Sequence, residues 1–107
     1  MKKVNKKRAL ALVGKGAMLV DMRSPVDFRD GSVPGAQNLP LKNFLNKIVG
    51  MNRKQKFVLF ARDIEDADMK NAANYAEQLG FEELFVSEYK QLIKEDEEND
   101  KQSKETV

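Results

Sequence analysis

Ala17-Met-Leu-Val-Asp-Met-Arg-Ser-Pro-Val-Asp-Phe-Arg-Asp-Gly-Ser-Val-Pro-Gly-Ala-Gln-Asn-Leu-Pro-Leu41 sets the architecture. Residues 17–21 form a short apolar run closed by a polar residue, the pattern of a buried parallel strand. Ser24-Pro25 opens a turn or one-turn helix through Phe28, and Gly31 and Pro34-Gly35 punctuate the loop that Leu39-Pro40-Leu41 ends. Downstream, Leu41, Phe44, Leu45, Ile48 and Val49 make one apolar helical stripe that stops at Gly50. Lys56 to Phe60 is a second buried strand, followed by a loop from Ala61 to Asp66. Met69, Ala72, Ala73, Ala76 and Leu79 mark another helix, with Asp66 or Asp68 as N-cap and Gly80 just past its end. Leu84-Phe-Val86 is a third strand, and Tyr89, Leu92 and Ile93 suggest a closing helix. Upstream, residues 5–13 read as a short helix with Leu10 and Val13 inward, stopped by Gly14 and Gly16.

Strands alternating with helices over this length predict an α/β fold: a single domain with a central, mainly parallel sheet and helices on both faces. Sites in such sheets form at the carboxyl ends of strands. Here those ends are Asp21–Arg23 and Ala61–Asp66.

Composition narrows the chemistry. The 107 residues suffice for one domain and contain neither cysteine nor histidine, so thiol nucleophiles, imidazole acid–base catalysis and the usual nitrogen and sulfur metal ligands are excluded. No metal or other cofactor is expected. Residues 1–8 carry five Lys/Arg and no acids, whereas residues 94–107 carry six acids against three lysines. The body between them is electrically neutral, so a face for nucleic acid is not indicated. No apolar stretch is long enough to span a membrane and no secretory leader is visible, which leads to an expected cytoplasmic location. The expected organisation is a basic N-terminal arm over 1–7, the domain over 8–93 and a charged, disordered tail over 94–107.

The stretch from Val20 to Leu41 resembles the N-terminal signature of the rhodanese-like family. That signature runs Asp-x-Arg (Asp21, Arg23), an acidic–aromatic pair (Asp27, Phe28), Gly-His (Gly31, with Ser32 in place of His), Pro-Gly-Ala (Pro34, Gly35, Ala36) and a closing proline (Pro40). The similarity continues at lower specificity to residue 93. It implies a rhodanese-like fold and, in active members, a cysteine after the second strand whose loop directs backbone N–H groups at the sulfur. In this sequence Ala61 occupies the nucleophile position, and the loop reads Ala61, Arg62, Asp63, Ile64, Glu65, Asp66. A methyl group can neither accept sulfane sulfur nor form the phosphoenzyme of the related cell-cycle phosphatases. Four carboxylates at 63, 65, 66 and 68 oppose an anionic substrate more than Arg62 favours one. Ser87-Glu88 stands where the family commonly has Gly-Gly, adding another acid near the mouth.

Most of the signature reads as scaffold: Arg23 pairing with Asp27, Asp21 bonding loop amides, Pro34-Gly35-Ala36 shaping a turn, and Ser32 making only a surface contact. The expected function is a non-catalytic module acting through protein contacts, with an unidentified protein partner and a surface around Arg62, Tyr89 and Lys90. Alternatives are an enzyme of another class using the loop carboxylates with Asp21, a small-ligand or cation site, and binding of nucleic acid or an anionic membrane through Lys2, Lys3, Lys6, Lys7 and Arg8 of the basic arm.

Overall fold

A computed structural model describes residues 1–94. Residues 95–107, most of the tail expected to be disordered, lie outside the described residues. Five parallel strands, β1 (Lys2–Lys3), β2 (Met18–Asp21), β3 (Gln37–Asn38), β4 (Phe57–Ala61) and β5 (Leu84–Glu88), stand in the order β1-β5-β4-β2-β3. The helices are α1 (Lys6–Gly14), α2 (Pro25–Asp30), α3 (Leu41–Ile48), α4 (Ala67–Gln78) and α5 (Tyr89–Leu92). The central strand β4 is buried along its whole length, with β2 and β5 on its flanks. This explains its uninterrupted Phe-Val-Leu-Phe-Ala sequence, since a strand covered on both faces has no solvent side to make polar.

Alternation along β4 feeds two cores. Phe57 and Leu59 join Phe44 and Ile48 of α3 and Met69, Ala72, Ala73 and Ala76 of α4. Val58 and Phe60 join Ala9 and Leu12 of α1, Leu92 of α5, and Val4. The larger core is anchored by edge-on aromatic contacts of Phe57 with Phe44 and Phe81, ring centroids 5.3 Å apart in each case. The alanines of α4 let that helix approach the sheet closely. Arg53 ties the ends of the two helices together: its Nε donates to Leu79 O (2.9 Å) and its guanidinium to Met51 O (2.8 Å) and Val49 O (3.2 Å), while it lies over the Phe81 ring.

Several elements differ from the sequence expectation. Residues 1–7 were expected to form an arm outside the domain, yet Lys2 and Lys3 pair in parallel with Phe85 and Val86 and Val4 is buried. Two residues are too few for a periodicity signal, and lysines mask an edge strand because they suit its open side. Helix α1 buries Ala9 and Leu12, with Val13 only partly covered, and leaves Leu10 49% exposed, correcting the Leu10–Val13 stripe. Apolar positions 9, 10, 12 and 13 fit two helical phases. Docking of Val4 and capping by Asn5, whose Oδ1 accepts the Arg8 N–H at 2.9 Å, select one of them. Val49 and Ile93 are likewise exposed, because α3 and α5 end just before them. Helix α4 does end at Gly80, in the left-handed conformation (φ +105°). Gly80 N–H bonds Glu77 O and Phe81 N–H bonds Ala76 O, the paired closure that such a glycine permits.

Candidate functional site

Parallel pairing of β2 with β4 puts Asp21 opposite Phe60, so the two sequence-expected strand ends meet at one edge of the sheet. Asp21 is fully buried. Its carboxylate accepts the Arg23 backbone N–H (2.9 Å), Arg23 Nε (3.0 Å) and Nη2 (2.8 Å), and the Ser32 hydroxyl (2.6 Å). Two expectations are corrected. Arg23 pairs with Asp21 rather than Asp27, because the chain turns back at Ser24-Pro25 and folds the guanidinium over the strand end. Ser32 is no surface contact but a ligand of the buried carboxylate. Asp27 instead faces Arg62 across the mouth (3.1 Å), an exposed pair contributing about 0–1 kcal/mol.

Arg23 also donates to Gly31 O (2.6 Å) and lies 3.8 Å from the centre of the Tyr89 ring, which stacks on Phe60. The Asp21 hydrogen bond, partly offset by burial, raises the Arg23 pKa above its ordinary value. The guanidinium is therefore charged throughout the usable pH range, and its contribution to stability persists below the pKa of the unfolded chain. Gly31 adopts φ +150°, and a Cβ there would meet the Tyr89 hydroxyl at 3.5 Å. Asp21, Arg23, Gly31 and Ser32 thus converge on one cluster at the end of β2 in which both Asp21 carboxylate oxygens are engaged, while Asp27 stands outside it.

Ala61, 2% exposed, ends β4 directly opposite Glu88 of β5. Three amides of the following loop bond to Glu88 of β5 and to Asp63. Ile64 N–H donates to Glu88 Oε1 (3.1 Å), Glu65 N–H to Asp63 Oδ1 (2.8 Å) and Asp66 N–H to Asp63 O (3.0 Å). Three of the loop's amides are therefore engaged within the protein. Asp66, not Asp68, caps α4, its Oδ2 accepting the Met69 N–H at 2.9 Å. Glu65 pairs with Lys70, and Arg62 points to solvent at 80% side-chain exposure. Among the described residues, no group of three or more acidic side chains is placed to hold a metal ion. Glu88 is the site residue whose role sequence reading missed. It was noted as an acid near the mouth, but its amide partner is 24 residues away in the chain.

Replacing Asp66 with alanine is expected to lower stability by about 1 kcal/mol through loss of the α4 cap. Urea unfolding measures this, and a midpoint equal to that of the wild type would mean that the first turn of α4 is frayed.

Beside the loop, at the carboxyl ends of β1 and β5, lies a cleft of about 240 Å³ lined by Lys3, Val4, Asn5, Ile64, Ser87, Glu88 and Gln91. Ala61 is not part of its wall.

Fold and site together define a small parallel α/β domain with a strand-to-helix loop at the carboxyl end of its central strand and no cysteine in that loop. The chain belongs to the rhodanese-like domain family, whose model matches residues 5–99. Over 35 residues, 33% of its length, it is 57% identical to the tRNA 2-selenouridine synthase of Cronobacter sakazakii, and it spans 9% of that protein. Among solved structures, a rhodanese-like domain protein from Staphylococcus aureus is similar with a TM-score of 0.69 at 14% identity, over 90% of this chain and 94% of that one. A rhodanese-related protein from Thermoplasma volcanium gives 0.65 at 19%, over 83% and 85%. At such identities the structural likeness establishes the fold.

Proposed function

We propose that this domain has lost sulfurtransferase activity and serves as a protein-interaction or regulatory module. The observation that carries this reading is Ala61 at the end of β4, in a loop whose Ile64, Glu65 and Asp66 amides already bond Glu88 and Asp63. Sulfur transfer needs a thiolate held by unengaged N–H donors; the thiolate is missing and three of the loop's donors are engaged. The face formed by Arg62, Tyr89 and Lys90 is the candidate contact surface. Tyr89 is held rigid between Phe60 and Arg23, which limits the entropy lost on docking.

Thiosulfate–cyanide transfer by the purified chain is expected not to exceed a heat-denatured control. Ala61→Cys, treated with thiosulfate and examined by intact mass, is expected to stay free of persulfide, because one added sulfur does not free the loop amides. Turnover by the wild type, or stoichiometric persulfide on the variant, would refute the loss of activity. For the interaction, a photo-crosslinking amino acid at Arg62 should give a discrete product in cells that the same group at Lys42, on exposed α3, does not. Identical products from both positions would leave the loop face with no special role.

A further inference from the structure

We infer that the β1 edge is a docking strand for an acidic, extended segment of a protein partner. This surface differs from the loop face above and does not depend on the fate of the sulfur chemistry. Three observations carry it. Val4 N–H bonds Val86 O at 2.9 Å, and alternation along a strand then turns the N–H and C=O of Lys3 to the open side, where another strand can pair. Charge is concentrated at this corner: Lys2 and Lys3 on β1 and Lys6, Lys7 and Arg8 on the first turn of α1, with no acid among residues 1–8. Among the described residues, none of the five forms a salt bridge, and all but Lys6, which bonds Lys94 O, are exposed, Arg8 lying over the Phe85 ring. The cleft lies at the carboxyl end of this edge, with Val4 and Ile64 as its apolar lining and Lys3, Asn5, Ser87, Glu88 and Gln91 as its polar lining, Glu88 being engaged by the Ile64 N–H.

Strand addition takes affinity from main-chain hydrogen bonds and specificity from pockets for alternate side chains. Lysines on an edge deter pairing with neutral or basic strands, including a second copy of β1. The same charges admit a strand that carries Asp or Glu, so the edge is selective rather than closed. An acidic segment with small apolar residues at alternate positions fits: its carboxylates share one strand face, where they meet one of the oppositely directed Lys2 and Lys3 side chains, and its apolar side chains share the other.

The test is a ¹⁵N titration of the full chain with a blocked hexapeptide of alternating glutamate and valine. Saturable shifts are expected at residues 2–5 and 87–91, weakening with added salt and missing for the glutamine–valine analogue. Lys2→Glu with Lys3→Glu should weaken the acidic peptide roughly tenfold and admit a lysine–valine peptide. Lys3→Pro removes only an outward N–H and should abolish docking with the rest of the spectrum intact, whereas Lys3→Gln should weaken it modestly. Equal shifts with the glutamine analogue, or none at residues 2–5, would overturn the inference. A full chain with Glu95, Asp96, Glu97, Glu98 and Asp100 changed to their amides provides the last arm. If the peptide binds only that variant, the edge serves this chain's own acidic residues and docking of a partner is refuted.

Discussion

Asp21→Ala is expected to destabilise the domain by about 3–5 kcal/mol. The magnitude comes from what stays behind rather than from the attraction removed. The Arg23 side chain is only 8% exposed, and without the carboxylate its charge is left in a site where Gly31 O and the Tyr89 ring are its remaining partners. Ser32 also loses its acceptor. Removing both charges together is a different experiment. Asp21→Leu with Arg23→Met should recover most of the loss, since a buried ion pair contributes little net stability over apolar side chains of similar volume. Urea unfolding of the three proteins decides the matter. A single-variant loss below about 1 kcal/mol would mean that water reaches the pair and that exposed-pair energetics apply instead.

Phe57→Ala should cost a similar amount, about 3–5 kcal/mol. Phe57 is fully buried and is the ring on which both Phe44 of α3 and Phe81 beyond α4 pack edge-on. Truncation removes its transfer free energy and opens a cavity between a central strand and two helices. The neighbours cannot collapse into that space without breaking the β-ladder on either side. Arg53, which spans the ends of α3 and α4 and lies over Phe81, would hold those helices near their present positions and keep the cavity open. The unfolding midpoint in urea and the thermal transition should both fall. A loss under about 1.5 kcal/mol would show that the core repacks freely at this point.

The two predictions mark different degrees of legibility. Phe57 lies in an apolar run that only a doubly covered strand tolerates, so its burial was readable from sequence. Asp21 was readable as a strand-end carboxylate bonding loop amides, and its bond to the Arg23 N–H fits that expectation. Its guanidinium partner was not, because Arg23 can reach either Asp21 or Asp27 and local spacing favours neither. Similarly, α1 was evident as a helix, but its buried face depended on Val4, whose strand was too short to detect. The loop was readable as acidic and without a nucleophile. That carboxylates hold its Ile64 and Glu65 amides was not, because one of them is Glu88, brought opposite Ala61 by the parallel register of β4 and β5.

The sequence by itself determined the order and type of the main elements, the family resemblance and the loss of every thiol and imidazole. These follow from local periodicity, turn chemistry and composition, which need no knowledge of distant neighbours. The tertiary structure alone decided which charges pair, which helical phase is buried, that the N-terminal lysines form an edge strand, and that the Ile64, Glu65 and Asp66 amides are engaged. Each of those depends on contacts between segments far apart in the chain, and a carboxylate or an amide carries no mark in sequence of the partner that folding will bring to it.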